Sequence, residues 1–200
     1  GLDPRIIATP LIISDNVDRD SSIVELYIWT LNSYARLLQS FENPIEWWFI
    51  PQRSRPIWLN ETKIAFLTYE GEYQTQNLII YDIEEDKLLT LHEFTCESCN
   101  FISHLTYNEI QEEVIFWQPS RDSGWDLIGV SVEDDRLNHY ITVDTTPSPI
   151  QISPDGKYLS TTILNIESSL IILDIETKEI LVETILTDDY IRLSGWIAKN

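Results

Sequence analysis

The chain has no methionine, two cysteines, three histidines and six glycines in 200 residues, and its 13 basic residues stand against 33 acidic ones. Each scarcity removes something. With no Met even at position 1, the sequence as written is not a primary translation product, so removal of a leader or upstream segment is expected. The glycines build no phosphate-cradling loop, and no G-x-S-x-G elbow occurs. The formal charge of −20 opposes phosphate backbones, because such contacts need Lys and Arg to displace counterions. Nucleic acid and anionic membrane are therefore disfavoured, and a solvated acidic surface or a basic partner is favoured. No apolar run approaches the roughly 18 residues of a membrane-spanning helix, so no membrane insertion is expected.

What the chain has instead is strand-forming sequence, repeated. Four times an apolar strand ending in Asp or a substitute is followed by a polar turn and a second strand. The pairs are Val24–Leu31 with Ala35–Leu38, Leu78–Ile83 with Lys87–Leu91, Leu127–Val132 with Asn138–Val143, and Leu170–Ile175 with Glu179–Val182. The aligned strand-end residues Thr30, Asp82, Ser131 and Asp174 lie 52, 49 and 43 positions apart. Upstream of each pair runs a shorter strand, at Ile6–Pro10, Ile64–Thr68, Val114–Gln118 and Leu159–Ile163. Ahead of three of these lies another, around Trp58, Tyr107 and Ile152. The clearest turn between the two is Ser153-Pro154-Asp155-Gly156-Lys157, where Pro sets its own φ and Gly tolerates positive φ. Ile23–Phe41 could be drawn as a helix, but its opening Ile, Val, Tyr and Trp residues favour a strand. Four strands per period of about 45 to 50 residues is propeller spacing. The expected fold is all-β, a β-propeller of four-stranded antiparallel blades. About four blades fall in a single domain over 1–200, at 1–41 with 190–200, 56–95, 103–143 and 149–186.

With Trp58, Lys63-Ile64-Ala65-Phe66 and Leu78-Ile79-Ile80-Tyr81-Asp82-Ile83 in the second copy, the chain resembles the TolB-like family of β-propellers. Ser153-Pro154-Asp155-Gly156-Lys157 and Leu173-Asp174-Ile175-Glu176-Thr177 in the fourth copy carry the same resemblance. The family repeat, WD40-like in kind, reads approximately W-S-P-D-G-K-x-I-A-F, a loop, then L-Y-V-x-D-x-x-T-G. Copies one and three depart, with Thr30 and Ser131 in place of Asp and Tyr107 in place of Trp. The resemblance implies a propeller and an exported protein, at the periplasm, the cell surface or outside the cell. It does not imply an activity, because fold does not fix function. At the ends, Asp3-Pro4-Arg5-Ile6-Ile7-Ala8 reads as a blade entered after its first strand, and Ile191–Trp196 as a first strand with nothing after it. Pairing of Ile191–Ile197 beside Ile6–Pro10 would close a four-blade ring and remove its free edges. Membership of a larger propeller is the alternative.

In an up-and-down blade the a–b and c–d turns share one end and the longer connections share the other. Long loops on a rigid scaffold are the usual place for binding residues. There Trp47, Trp48, Tyr73, Arg121 and Trp125 are the candidate contacts, since Trp and Tyr supply area together with a hydrogen-bond donor. Trp58, Trp117 and Trp196 read as packing residues between blades, and His139 as structural. Cys96 and Cys99, flanked by His92 and His104, leave three readings open: a disulfide closing a tight loop, free thiols, or a four-ligand zinc site. An oxidising compartment favours the disulfide. Asp15–Asp20 gathers three carboxylates without the Gly and distant Glu of an EF-hand, and reads as a solvated loop. The expected function is non-enzymatic, an interaction module that takes a protein partner on its long-loop face and needs no cofactor. The alternative is a propeller that binds or hydrolyses carbohydrate, stacking the same aromatics on sugar rings. Composition leaves the oligomeric state open.

Overall fold

Runs rich in Ile, Val, Leu, Tyr and Trp become strands in the structure, a computed structural model that describes residues 5–13, 22–30, 36–43, 56–70, 75–95, 102–121, 123–164, 168–185 and 196. All regular structure among the described residues is β, including the described parts of the window that could have been drawn as a helix. No helix there is long and apolar enough to cross a membrane. The chain divides into two compact units, Gly1–Cys99 and Asn100–Asn200.

The first unit holds two sheets. β1 (Arg5–Ile13), β2 (Ser22–Thr30) and β3 (Arg36–Asn43) form a three-stranded meander. β4 (Ile57–Trp58), β5 (Lys63–Glu70), β6 (Thr75–Asp82) and β7 (Lys87–Thr95) form a four-stranded one. The second unit repeats the plan with β8 (Ser103–Asn108), β9 (Glu113–Pro119), β10 (Trp125–Ser131) and β11 (Leu137–Val143). Its other sheet runs β12 (Thr146–Pro147), β14 (Tyr158–Leu164), β15 (Ser169–Asp174), β16 (Ile180–Ile185), with the short β13 (Gln151–Ile152) also paired to β14. Every pairing is antiparallel and, apart from that of β12 with β14, joins strands consecutive in the chain, as the repeat predicted. β5 and β6 stay paired to their ends, Tyr69 with Gln76 and Glu70 with Thr75. The proposed pairing of the two termini falls outside the described residues.

The strand-end position aligned in the sequence has a mechanical meaning. Asp82 Oδ1 accepts from the backbone N–H groups of Glu84 (3.0 Å) and Glu85 (3.1 Å). Asp174 Oδ1 does the same for Glu176 (3.0 Å) and Thr177 (2.8 Å), and Ser131 Oγ for Glu133 (3.3 Å) and Asp134 (3.4 Å). Each reversal then passes through a left-handed residue, Asp86, Asp135 or Lys178, at φ 52°, 56° and 61°. An oxygen at the strand end is what lets two backbone donors turn away from the ladder. Ser serves in place of Asp because its hydroxyl also accepts. The two degenerate a–b turns follow the same rule with Asn: Asn60 Oδ1 accepts from Thr62 and Lys63, both at 2.9 Å, and Asn108 Oδ1 from Ile110 (3.2 Å) and Gln111 (3.3 Å). Asn108 Nδ2 also donates to the Gly156 carbonyl at 2.8 Å, tying the third blade's turn to the fourth blade's Pro-Asp-Gly turn.

The outermost strand of every sheet carries a one-residue bulge, at Leu38, Leu91, Tyr140 and Leu181, where the register jumps by one. A bulge turns an extra side chain out of the strict alternation. At Leu91 and Tyr140 that side chain is buried, 5% and 6% exposed. The core of the second unit gathers Ile115, Trp117, Trp125, Leu127 and Tyr140 of one sheet with Ile150, Leu159, Leu173 and Ile175 of the other side. Burial of each large side chain contributes about 1.5–3 kcal/mol. The first unit has a smaller described cluster of Phe66, Ile79 and Tyr81 with Ile83 beside it.

Three substitutions test these turns. Asp174→Ala should lower unfolding stability by about 1–2 kcal/mol, since two backbone donors lose their acceptor, and Asp174→Ser should recover most of it; urea unfolding at constant m-value reads both. Gly156→Ala should cost more than Asp174→Ala, because Gly156 has φ 69° and an added Cβ would lie 2.7 Å from Asn108 Oδ1 and from Ile110 Cβ.

Candidate functional site

β9 opens with an acid where the pattern calls for an apolar residue. Glu113 is followed by Val114, Ile115, Phe116 and Trp117, all buried, and is itself only 2% exposed. A carboxylate taken out of water needs donors. Tyr140 Oη donates to its Oε2 and Asn138 Nδ2 to its Oε1. Both donors come from β11, so the side chain must cross β10, and it does so over Gly129. A Cβ at Gly129 would lie 2.4–2.7 Å from the carboxyl atoms of Glu113. The bulge at Tyr140 turns the phenol toward the acid, and Lys178 Nζ stands 5.7 Å above its ring centroid. Burial, then the hydrogen bond to Glu113 and its charge, hold the Tyr140 hydroxyl far above the ordinary phenol range, with Arg136 partly offsetting. Each carboxylate oxygen is occupied and the group is sealed from solvent. It locks three strands together; it is not an open acid.

A second polar group lies on the exposed face of β10 and β11. Thr142 Oγ1 donates to Asp126 Oδ1 at 2.6 Å, and His139 Nε2 lies 3.0 Å from Thr142 Oγ1 and 3.3 Å from Asp126 Oδ1. Both contacts fall on one ring nitrogen, so the imidazole does not stand between an acid and a nucleophile as a relay requires. At the short-turn end, the Ser131 hydroxyl holds Asp134 below the usual carboxylate range, and the Ser153 hydroxyl does the same for Asp155. Burial first, then Glu112 and Glu109, raise the Tyr107 phenol.

The opposite end of the second unit carries the long connections. Arg121 is exposed there, in a loop closed by Ser120 N–H donating to the Gly124 carbonyl at 3.0 Å. Trp125 is not an exposed contact. It is 5% exposed, pairs with Pro119 and Val143 as the first residue of β10, and shares a face with Leu127 in the core, which corrects the expectation of a surface aromatic. At the same end Ser103 Oγ and Trp117 Nε1, on residues opposite one another in β8 and β9, are buried without a hydrogen-bond partner among the described residues, as is Thr145 Oγ1.

Trp47, Trp48, Tyr73, Cys96 and Cys99 lie outside the described residues, as does the Asp15–Asp20 loop. His92 is half-buried in β7 of the first unit, opposite Leu78. His104 is half-buried in β8 of the second, at φ 59° in an irregular stretch between Ser103 and Thr106. Among the described residues no three His, Cys, Asp or Glu side chains are grouped to hold a metal ion. Trp117 is a packing residue, fully buried, and Trp196 lies against Tyr158 with ring centroids 6.3 Å apart. Sequence reasoning missed Glu113, Asn138, Tyr140 and Gly129. The available signal was Gly129 in the middle of Leu127-Ile128-Gly129-Val130-Ser131, since a glycine inside a strand marks a close approach.

No family model matches the chain, and no curated protein matches it in sequence. Solved structures do match in fold. An oligogalacturonate lyase in complex with manganese superposes with a TM-score of 0.59 at 10% identity, over 80% of this chain and 41% of that one. The β-propeller domain of the Trilobed protease from Pyrococcus furiosus gives 0.52 at 7% identity, over 68% and 44%. The acylaminoacyl peptidase of Pyrococcus horikoshii gives 0.53 at 7% identity, over 67% and 25%. The chain thus spans less than half the length of each of these proteins. At such identities the likeness concerns fold alone. With the sheet topology it defines the class: an all-β chain of propeller-type antiparallel blades, here of three to five strands among the described residues.

Tyr140→Phe should cost about 1–3 kcal/mol, because it leaves a buried carboxylate oxygen without a donor. The pH dependence has a definite sign. Below about pH 10, the ordinary phenol value, the contribution of Tyr140 is fully present; above it the unfolded chain gives up the proton that the folded chain keeps, and stability falls. Urea unfolding between pH 8 and pH 11 should show a steeper alkaline decline for the wild type than for Tyr140→Phe.

Proposed function

We propose that the chain is a non-enzymatic, TolB-like exported propeller that acts as a protein-interaction module through its long-loop end. The asymmetry between the two ends of the sheets carries this reading. At the short-turn end the Asn, Asp and Ser side chains are spent on holding reversals. At the other end Arg121 is exposed. Trp47, Trp48 and Tyr73 belong to connections at that end by chain order, and Arg and Trp are residue types that concentrate binding energy. The net charge of −20 selects a partner with a basic surface.

The carbohydrate reading gains one support, a fold neighbour named as a lyase of oligogalacturonate. Charge argues against the same substrate here, since a chain of −20 repels a polyanionic uronate. A neutral glycan would be the form this alternative takes.

Photo-crosslinking from a reactive residue at position 121, with position 178 as the control at the short-turn end, separates the two readings. A discrete protein adduct from 121 alone, lost in Trp47→Ala/Trp48→Ala, is the expected result. Glycan-array binding that disappears in the same double variant would replace the proposal with the carbohydrate alternative.

A further inference from the structure

β16 (Ile180–Ile185) differs from the other outer strands whose side chains are described. All six of its residues are exposed, whereas β7 and β11 each bury part of their length. Its bulge residue shows the difference most directly. Leu91 and Tyr140 are turned inward and covered, while Leu181 in the corresponding bulge is 51% exposed, with Ile180, Val182 and Ile185 exposed beside it. Among the described residues β16 pairs only with β15, so one side of the strand is an edge.

An apolar strand open on both faces and along one edge is a template for another strand, and proteins usually guard such edges with Lys, Pro or inward charge. Here the only charged residue of the strand is Glu183, and the residue just before it is Glu179. These acids and the overall charge of −20 decide between occupants. A second copy would bring Glu183 and its whole acidic surface against their own kind, which like-charge juxtaposition penalises. A segment with basic residues is drawn in.

We infer that β16 is a docking edge for an extended protein segment that carries Lys or Arg among apolar residues, which adds to the sheet as a further strand. The segment's backbone pairs along the edge over about 20 Å, six residues at the rise of a β-strand. Glu183 and Ile185 share one face of β16, and Val182 and Thr184 the other, so the segment sets a basic side chain against Glu183 beside an apolar one against Ile185, and its other face covers Val182. This surface is the rim of a sheet and not the ends of its strands, so the inference stands independently of what the long-loop end binds.

The test uses the full 200-residue chain and two synthetic twelve-residue peptides, one repeating Val-Thr-Lys-Thr and the other Val-Thr-Glu-Thr. Fluorescence anisotropy reads affinity, and amide hydrogen exchange reads location. The Lys peptide should bind, slow exchange at Ile180–Ile185 and weaken with added salt, and the Glu peptide should not bind. Leu181→Lys/Glu183→Lys changes only exposed positions and should weaken the Lys peptide by roughly tenfold or more. Equal binding of both peptides, or protection elsewhere in the chain, would overturn the inference, and exchange in the unmodified chain decides this even where the double variant folds poorly. Sedimentation of the unmodified chain as an oligomer that the double variant dissociates would assign the edge to a second copy instead.

Discussion

Side-chain oxygens at the strand ends are the constraint on which the rest of this molecule depends. An antiparallel meander must reverse every few residues, and each reversal withdraws backbone donors from the ladder. Asp82, Ser131 and Asp174 take up two donors each, and Asn60 and Asn108 do the same at the a–b turns. Because those turns are self-sufficient they remain short, and all of them lie at one end of their sheets. Chain length that is free to vary is left at the other end. The division into a plain end and an elaborate end is a consequence of where the backbone donors are satisfied.

Between the turns, the outer strands share one device. A bulge in the outer strand turns a side chain inward, and what covers that side chain decides its role. In the third blade Tyr140 is covered, and it brings a phenol onto the buried carboxylate of Glu113 across Gly129. In the fourth, Leu181 occupies the corresponding bulge and meets solvent. The bulge that completes a core in one place presents an apolar edge in another, and the difference lies in the neighbour, not in the strand.

The propeller plan was legible because its signals are local. Periodic runs of β-branched and aromatic residues, a Pro-Asp-Gly turn and a recurring polar strand end need no knowledge of distant contacts. The candidate contacts were less legible. Trp125 looked like a loop aromatic because Pro119 precedes it by six positions, yet it opens β10 and belongs to the core. Glu113 looked like one more acid among 33, and nothing in its own segment names Tyr140 and Asn138, 27 and 25 residues away, as its donors.

The sequence by itself determined the strands, their antiparallel order, the reversals and the excess of negative charge, since each follows from a residue and its near neighbours. Only the tertiary structure decided which of many acids is buried, which tryptophan packs inside, and which outer strand lies bare. Those outcomes turn on what another sheet places against a side chain. Solvent exclusion by a distant segment leaves no mark in local composition.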